Sequence, residues 1–456
     1  MDFSLTAPEA VRWMATALED AGYETWVVGG AIRDLLLGNR AGDWDLATRA
    51  KPEEIMVTFS RTVPVGVDHG TVGVLARDGT LYEVTTFRRD IENDGRRAVV
   101  EFADNIEADL ARRDFTFNAI AWHPLRGELL DPEGGRADLE AKILRTVGAP
   151  AERFAEDLLR VLRALRFSGR FGFAIEEDTW KALCEAVPHL HVLSAERVQE
   201  ELMKVLSQAD RPSVALQLYA RSGALAQLYP ELADAVATDG SITLDEVLAA
   251  CDTVPSGKPL VRLATLLSPL AGQGSGDTRT VRAMVEGLLG RLRCSNADAK
   301  RVSSLVANRT LGAPSLEPGD IRRWLHQTDP ALFPDLSRMW LAESQVGLDP
   351  VGILGAFGDP GTSSTDDVVG RIEAIQAVLK AQQPLSISDL ALNGGHLQAM
   401  GFSPGPLFGE ILENLLEHVL EHPEANTRSQ LEALVRESGF STGTSRSLTT
   451  NPEVHE

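Results

Sequence analysis

Short runs with strand spacing recur through the first part of the chain, at Thr25–Val28, Asp43–Thr48, Thr71–Ala76, Leu81–Thr86 and Phe117–Trp122. Each is apolar or alternating and is bounded by turn residues, as expected of strands in a half-buried sheet. Helical periods separate them, so residues 1–150 predict an α/β or α+β head. From about Ala151 the alternation gives way to spacings of three and four, as in Phe154, Leu158, Val161, Leu162 and Leu165. That is the apolar stripe of amphipathic helices, and the remainder reads as all-helical. Turn-rich segments at 252–258, 271–278 and 355–367 punctuate it. Helical divisions of 151–230, 231–380 and 381–437 follow, and the Ser- and Thr-rich end, 438–456, is expected to be disordered because it holds too little apolar surface to offset its ordering entropy.

At about 150 residues per domain, 456 residues suggest roughly three domains, and 43% hydrophobic residues suffice for a core in each. Cys184, Cys251 and Cys294 are odd in number and far apart, which excludes a disulfide framework and a zinc cluster and suggests the cytoplasm. The first twenty residues lack a basic-then-apolar opening, and no run approaches a membrane span, so no membrane partner is expected. The net charge of −22 argues against a phosphate-rich partner unless some stretch is locally basic.

Four motifs carry candidate chemistry. In Trp26-Val27-Val28-Gly29-Gly30-Ala31-Ile32-Arg33-Asp34 a strand runs through two glycines into a helix. Such a turn lets phosphates approach backbone N–H groups near Gly30, with Arg33 as a charged donor. Alone, it is equally a packing turn. Next, Gly42-Asp43-Trp44-Asp45 places two carboxylates two apart, on one face of a strand, a hard-oxygen pair suited to Mg²⁺. Glu83, within Leu81-Tyr82-Glu83-Val84-Thr85, is the candidate third catalytic carboxylate, with an outward-facing strand glutamate as the alternative. Finally, in Arg112-Arg113-Asp114-Phe115-Thr116-Phe117-Asn118, Arg113 is placed to clamp a triphosphate, while Asp114 and Asn118 order the loop by hydrogen bonds.

The locally basic stretch is 145–170, with six arginines against Glu152, Glu156 and Asp157. Read as one helix, Asp157, Arg160 and Arg163 share its polar side. A carboxylate there accepts from the exocyclic amine of cytosine or adenine, and an arginine donates to the neighbouring ring nitrogen, a pattern that uracil and guanine reverse. The competing reading is a solvated, salt-bridged helix face.

In order, GGxxRD, DxD, RRDFTxNA, DPxGG and EDxxRxxRxxRF resemble the motifs of the bacterial class II nucleotidyltransferases, comprising CCA-adding tRNA nucleotidyltransferases and poly(A) polymerases. Leu193-Ser194-Ala195-Glu196-Arg197-Val198-Gln199-Glu200-Glu201-Leu202 resembles the next helix of that family, and 387–412 its tail. The resemblance implies a polymerase-β-like nucleotidyltransferase head followed by helical neck, body and tail domains, the last two gripping tRNA. It implies that Gly30, Arg33 and Arg113 contact the nucleotide, that Asp43 and Asp45 bind Mg²⁺, and that Asp157, Arg160, Arg163 and Arg166 form the nucleotide pocket. CTP and ATP are the implied substrates, with poly(A) synthesis, partial CC or A addition, or a silent RNA-binding role as alternatives. Two departures stand out. Trp44 occupies the middle of DxD, where only a packing consequence is expected, and Arg88–Val99 fills the place of a mobile loop that complete enzymes keep long.

Overall fold

The computed structural model describes residues 5–93, 98–238, 242–272, 278–309, 315–348 and 365–438. They form two compact units, residues 1–273 with 283–300, and residues 274–282 with 301–456. The division falls inside the stretch 231–380 anticipated as the helical body.

The first unit opens with helix α1 (Glu9–Asp20), whose Val11, Met14, Ala15 and Leu18 make one buried stripe. Strand β1 (Thr25–Val28) is buried along its whole length. Helix α2 (Gly30–Leu36), β2 (Asp45–Thr48), α3 (Pro52–Thr58), β3 (Thr62–Gly66), β4 (Thr71–Leu75) and β5 (Leu81–Thr86) follow. Next come β6 (Arg88–Asn93), β7 (Ala98–Phe102), α4 (Ile106–Ala111), β8 (Ala121–Trp122) and β9 (Leu129–Leu130). Seven strands make one sheet in the order β3-β4-β5-β2-β1-β8-β9, while β6 and β7 pair separately as an antiparallel ribbon. The long-loop segment is therefore largely a β-ribbon, held by the Arg89–Glu101 ion pair, with 94–97 outside the described residues.

Register decides which face each side chain takes. Strands β2 and β5 run parallel with Leu46 beside Val84, and β4 and β5 run antiparallel with Val72 beside Val84 and Gly73 beside Glu83. Leu46, Val84, Val72 and Val74 enter the core. Because side chains alternate along a strand, Asp45, Glu83, Thr85, Thr71 and Gly73 share the opposite face. The hydroxyls of Thr71 and Thr85 meet there at 3.0 Å.

Three expectations need correction. The strand β2 begins at Asp45, so Asp43 lies just ahead of it, exposed, while Trp44 packs at 9% exposure as expected. Only Ala121–Trp122 of the expected strand 117–122 is extended, and Thr116–Asn118 is a 3-10 turn. Side-chain hydrogen bonds select that turn, because Asn118 Nδ2 donates to Asp114 Oδ1 at 3.0 Å and Thr116 donates to Asp138 at 2.7 Å. The same bonds bear out the ordering role read for Asp114 and Asn118. Third, the basic stretch is not one helix.

After α5 (Gly135–Ala141) the chain forms α6 (Pro150–Glu156) and α7 (Leu159–Phe171). Asp157 between them is extended, with φ −151° and ψ 106°. Its carboxylate accepts from the Leu159 N–H at 3.0 Å, satisfying a donor that the first turn of α7 leaves open. Helices α8 (Glu177–Ala186), α9 (Ala195–Gln208) and α10 (Pro212–Ser222) follow. The close crossing of α7 and α10 needs Gly169, since a Cβ there would stand 2.6 Å from the Ala215 backbone.

In the second unit, Leu392, Leu397, Ile411, Val419, Leu420 and Leu431 form a core among helices of the 381–437 stretch. A buried pair, Arg309 with Glu343, joins helix Phe333–Gln345 to the chain ahead of it, Nε lying 2.8 and 2.9 Å from the two oxygens. The expected tail lies outside the described residues from 439 onward. No helix among the described residues is long and apolar enough to cross a membrane.

Candidate active site

Asp45 sits at the start of β2, opposite Val28, the residue before the glycine turn. Gly29 there has φ +72° and ψ −132°, a region open in practice only to glycine. A Cβ added to it would meet Arg113 Nη1 at 3.1 Å and Asp45 Oδ2 at 3.9 Å, so the turn, the cation and the carboxylate are in one place. Burial, then the neighbouring Glu83, push the Asp45 carboxyl up to about 6; Asp43 adds to the shift and Arg113 opposes it. Glu83 is exposed rather than buried, which answers the question left open by sequence, yet its outward face is the face that bears Asp45. Arg113 is oriented by Asp109, whose Oδ2 accepts from Nη2 at 2.9 Å and which also pairs with Arg112. These two arginines hold the buried Asp109 carboxyl below its usual range against the opposing effect of burial.

We expect Gly29→Ala to strain the turn by about 1–3 kcal/mol and to push Arg113 from Asp45. Turnover should fall roughly tenfold, and the thermal midpoint should drop by several degrees. Unchanged turnover would show that the Arg113 position does not matter.

A second group links the glycine turn to α7. Arg33 is 5% exposed, donates to Asp34 and to Asn118 Oδ1 at 2.8 Å each, and lies over the rings of Phe167 and Phe171. Asn118 bonds to Asp114, and Asp114 Oδ2 accepts from Arg163 Nε at 2.8 Å. Arg33, predicted to touch the nucleotide with Gly30, is thus also a strut under the helix start that Gly30 forms. Phe115, Phe117, Phe167, Phe171 and Phe173 pack edge-to-face and stacked beneath this network.

The nucleotide-pocket residues separate. Asp157 Oδ2 accepts from Arg197 Nη2 at 2.7 Å. Arg160 binds Glu156 and donates to the carbonyls of Arg153 at 2.9 Å and Arg112 at 3.1 Å, so it is tied to the loop carrying Arg113. Arg166, by contrast, is buried with Glu201, Nε to Oε2 2.6 Å, and its guanidinium lies over Phe167. The stretch 145–170 is therefore no open basic strip. Arg145, Arg153, Arg160, Arg163 and Arg166 each face an acid, and four of those acids, Asp114, Asp138, Glu176 and Glu201, come from other parts of the chain. A local charge count cannot see such partners. Sequence reasoning missed Asp109, Arg197 and Glu201, although the Asp109 spacing of three and four to Arg112 and Arg113 was a readable signal.

Three family models match the chain. The "Poly A polymerase head domain" covers residues 25–145, a probable RNA- and SrmB-binding site of polymerase A covers 172–236, and "tRNA nucleotidyltransferase domain 2" covers 368–435. A CCA-adding enzyme of Geobacillus kaustophilus is 48% identical over 213 residues, 46% of this chain and 52% of that enzyme. The chain thus matches about half the length of such relatives. The CCA-adding enzyme of Latilactobacillus sakei is 34% identical over 397 residues, 87% of this chain and 89% of its own length. This chain belongs to the CCA-adding enzyme family. The crystal structure of the Bacillus stearothermophilus CCA-adding enzyme in complex with CTP agrees in fold, with TM-score 0.70 and 29% identity over 94% of this chain and 97% of that one. The family's α+β head and helical remainder are those anticipated from the strand and helix periods.

Proposed function

We propose that the protein adds CMP, CMP and AMP from CTP and ATP to the 3′ end of tRNA without a nucleic-acid template. The observation that carries this reading is the meeting of Asp45 and Arg113 at one glycine turn, with Glu83 neighbouring Asp45 and Arg160 tied to the Arg113 loop. The terminal hydroxyl of the RNA attacks the α-phosphate of the nucleotide and pyrophosphate leaves. Arg113 offsets triphosphate charge, and the Gly29–Gly30 turn lets backbone approach it. Glu83, exposed on the Asp45 face, receives the proton of the attacking hydroxyl.

The donor set fits Mg²⁺, which binds one or two carboxylates and fills its remaining positions with water and phosphate oxygens. No group of three His, Cys, Asp or Glu residues among the described residues could hold a metal ion by itself. Asp43 and Asp45 would hold the ion, whose chemistry there is to neutralise charge on the transferring phosphoryl group.

For selection among bases, Asp157 and Arg160 offer one acceptor and one donor. Asp157 pairs with Arg197 and Arg160 with Glu156, so a base that reads the two side chains must displace or share those partners. CTP and ATP match the pair, whereas UTP and GTP present donor and acceptor reversed. Offering each labelled nucleotide separately to a CCA-less tRNA tests this reading. Incorporation of CTP with refusal of UTP and GTP is expected; UTP incorporation at the rate of CTP would overturn it.

The RNA contact is expected to be modest and salt-sensitive, since the chain carries a net −22 and most arginines of the basic stretch face acids. Filter binding should weaken about tenfold or more between roughly 50 and 200 mM salt. The three cysteines are free thiols, which supports a cytoplasmic setting.

A further inference from the structure

The sheet face that bears Asp45 and Glu83 continues past β5 into an exposed apolar shelf. Val63, Val65 and Leu81 are 44%, 48% and 45% exposed, Val65 lying where the register of β3 on β4 shifts between Val63 and Gly66. Leu81 lies two residues from Glu83 on β5, hence on the same face. Val63 pairs beside Gly73, which itself pairs beside Glu83, bringing β3 to that face as well. The glycine joins the shelf: a Cβ at Gly73 would stand 2.8 Å from Val65 Cγ2 and 3.0 Å from Leu81 Cδ1. Only a residue without a side chain lets Val65 and Leu81 close over β4.

The position of this shelf in the sheet order gives it an occupant. Arg113 and the glycine turn approach Asp45 from the β1 side, which is where the nucleotidyl-transfer reading puts the triphosphate. In an in-line displacement the attacking oxygen and the leaving pyrophosphate stand on opposite sides of the phosphorus. The attacking hydroxyl must therefore enter from the β5 side, across Glu83, and the nucleotide that carries it must rest on what lies beyond Glu83 along this face. That surface is Leu81 and Val65. We propose that the Val63–Val65–Leu81 shelf is the seat of the RNA acceptor's 3′-terminal nucleotide, whose base or ribose packs flat on the aliphatic surface while its 3′-hydroxyl reaches Glu83. An aliphatic surface grips without reading base edges, and this seat must accept in turn the original RNA end and each newly added nucleotide. Pro64, in the middle of β3, takes a donor off the sheet edge and so disfavours the rival occupant, a second copy paired strand to strand.

This inference rests on the nucleotidyl transfer proposed above, and the experiment separates the two. The full-length protein carrying Val65→Ser and Leu81→Ser is compared with the parent; both positions are exposed, so folding is expected to survive and is checked by thermal midpoint. The acceptor RNA KM should rise roughly tenfold with the KM for CTP unchanged. A second readout needs no catalysis: RNA bearing a photoreactive 3′-terminal base, without nucleotide present, should cross-link to residues 63–81 in the parent and much less in the variant. Cross-linking there by a parent that transfers no nucleotide would retain the seat and reject the transfer reading. Normal transfer with an unchanged RNA KM, or with cross-links confined to other residues, rejects the seat. A concentration-dependent dimer of the parent that the double substitution dissolves, with RNA KM unchanged, reassigns the shelf to self-association.

Discussion

Asp45→Asn should abolish nucleotide transfer, by about 10³-fold or more, while leaving the protein folded at least as firmly as the parent. Two features of the site combine in that expectation. The Asp45 carboxyl lies at the junction of β1 and β2, beside the Gly29 turn and Arg113, where nothing else among the described residues presents an oxygen anion to the same place as closely. It is also crowded: burial and Glu83 push it up to about 6, with Asp43 adding to the effect. Relieving like-charge repulsion with an isosteric amide costs no stability and removes the anion on which the chemistry depends. Turnover under saturating CTP and RNA, with thermal midpoints alongside, measures both halves. Activity within tenfold of the parent would falsify the assignment of Asp45, and a large loss of stability would show that the anion is structural.

The second large effect concerns folding. Glu201→Ala should destabilise the first unit by about 3–5 kcal/mol, because it leaves the Arg166 guanidinium buried without its carboxylate. Glu201 is 1% exposed and Arg166 5%, and their 2.6 Å contact pins α9 to α7. Lys204, 3.4 Å from the other Glu201 oxygen, would lose the same partner and, being a cation, cannot replace the carboxylate. Replacing both partners, as Arg166→Met with Glu201→Leu, should recover most of the loss, since a buried ion pair exchanged for apolar side chains of similar volume is often close to neutral. Urea unfolding followed by a probe in α7 or α9 measures this, the two compact units being monitored separately because a single two-state transition is not expected of such a chain. The double variant also decides the role of Arg166: if it restores folding and retains CTP binding, Arg166 supports the pocket without touching the nucleotide. Restored folding with lost CTP binding would return Arg166 to the set of nucleotide contacts that the motif implies.

What was legible in the sequence was whatever depends on neighbours in the chain. The runs at 25–28 and 81–86 are strands as read, and the glycine turn into α2 follows from two adjacent glycines between an apolar run and a helical period. Spacing alone singled out Asp43 and Asp45, although only Asp45 lies in the strand that the spacing implied for both. What was not legible depends on partners distant in sequence. The arginines of 145–170 suggested an open cationic strip because Asp114, Asp138, Glu176 and Glu201, which face three of them, lie outside the counted window. The break at Asp157 escaped periodicity because the apolar positions on either side keep in step across it, and only the carboxylate bonded to Leu159 N–H reveals the end of one helix and the start of the next. Phe117–Trp122 reads as strand by its aromatic and β-branched residues, yet hydrogen bonds donated by Asn118 to Asp114 and by Thr116 to Asp138 close Thr116–Asn118 into a turn.

The most direct test of the account is the length and sequence of the product made on a tRNA that ends just before its CCA. With CTP alone the protein should add two residues and stop, and with CTP and ATP together it should add C, C and A and stop again. Long tails from ATP with no uptake of CTP, or no transfer from either nucleotide, would contradict it.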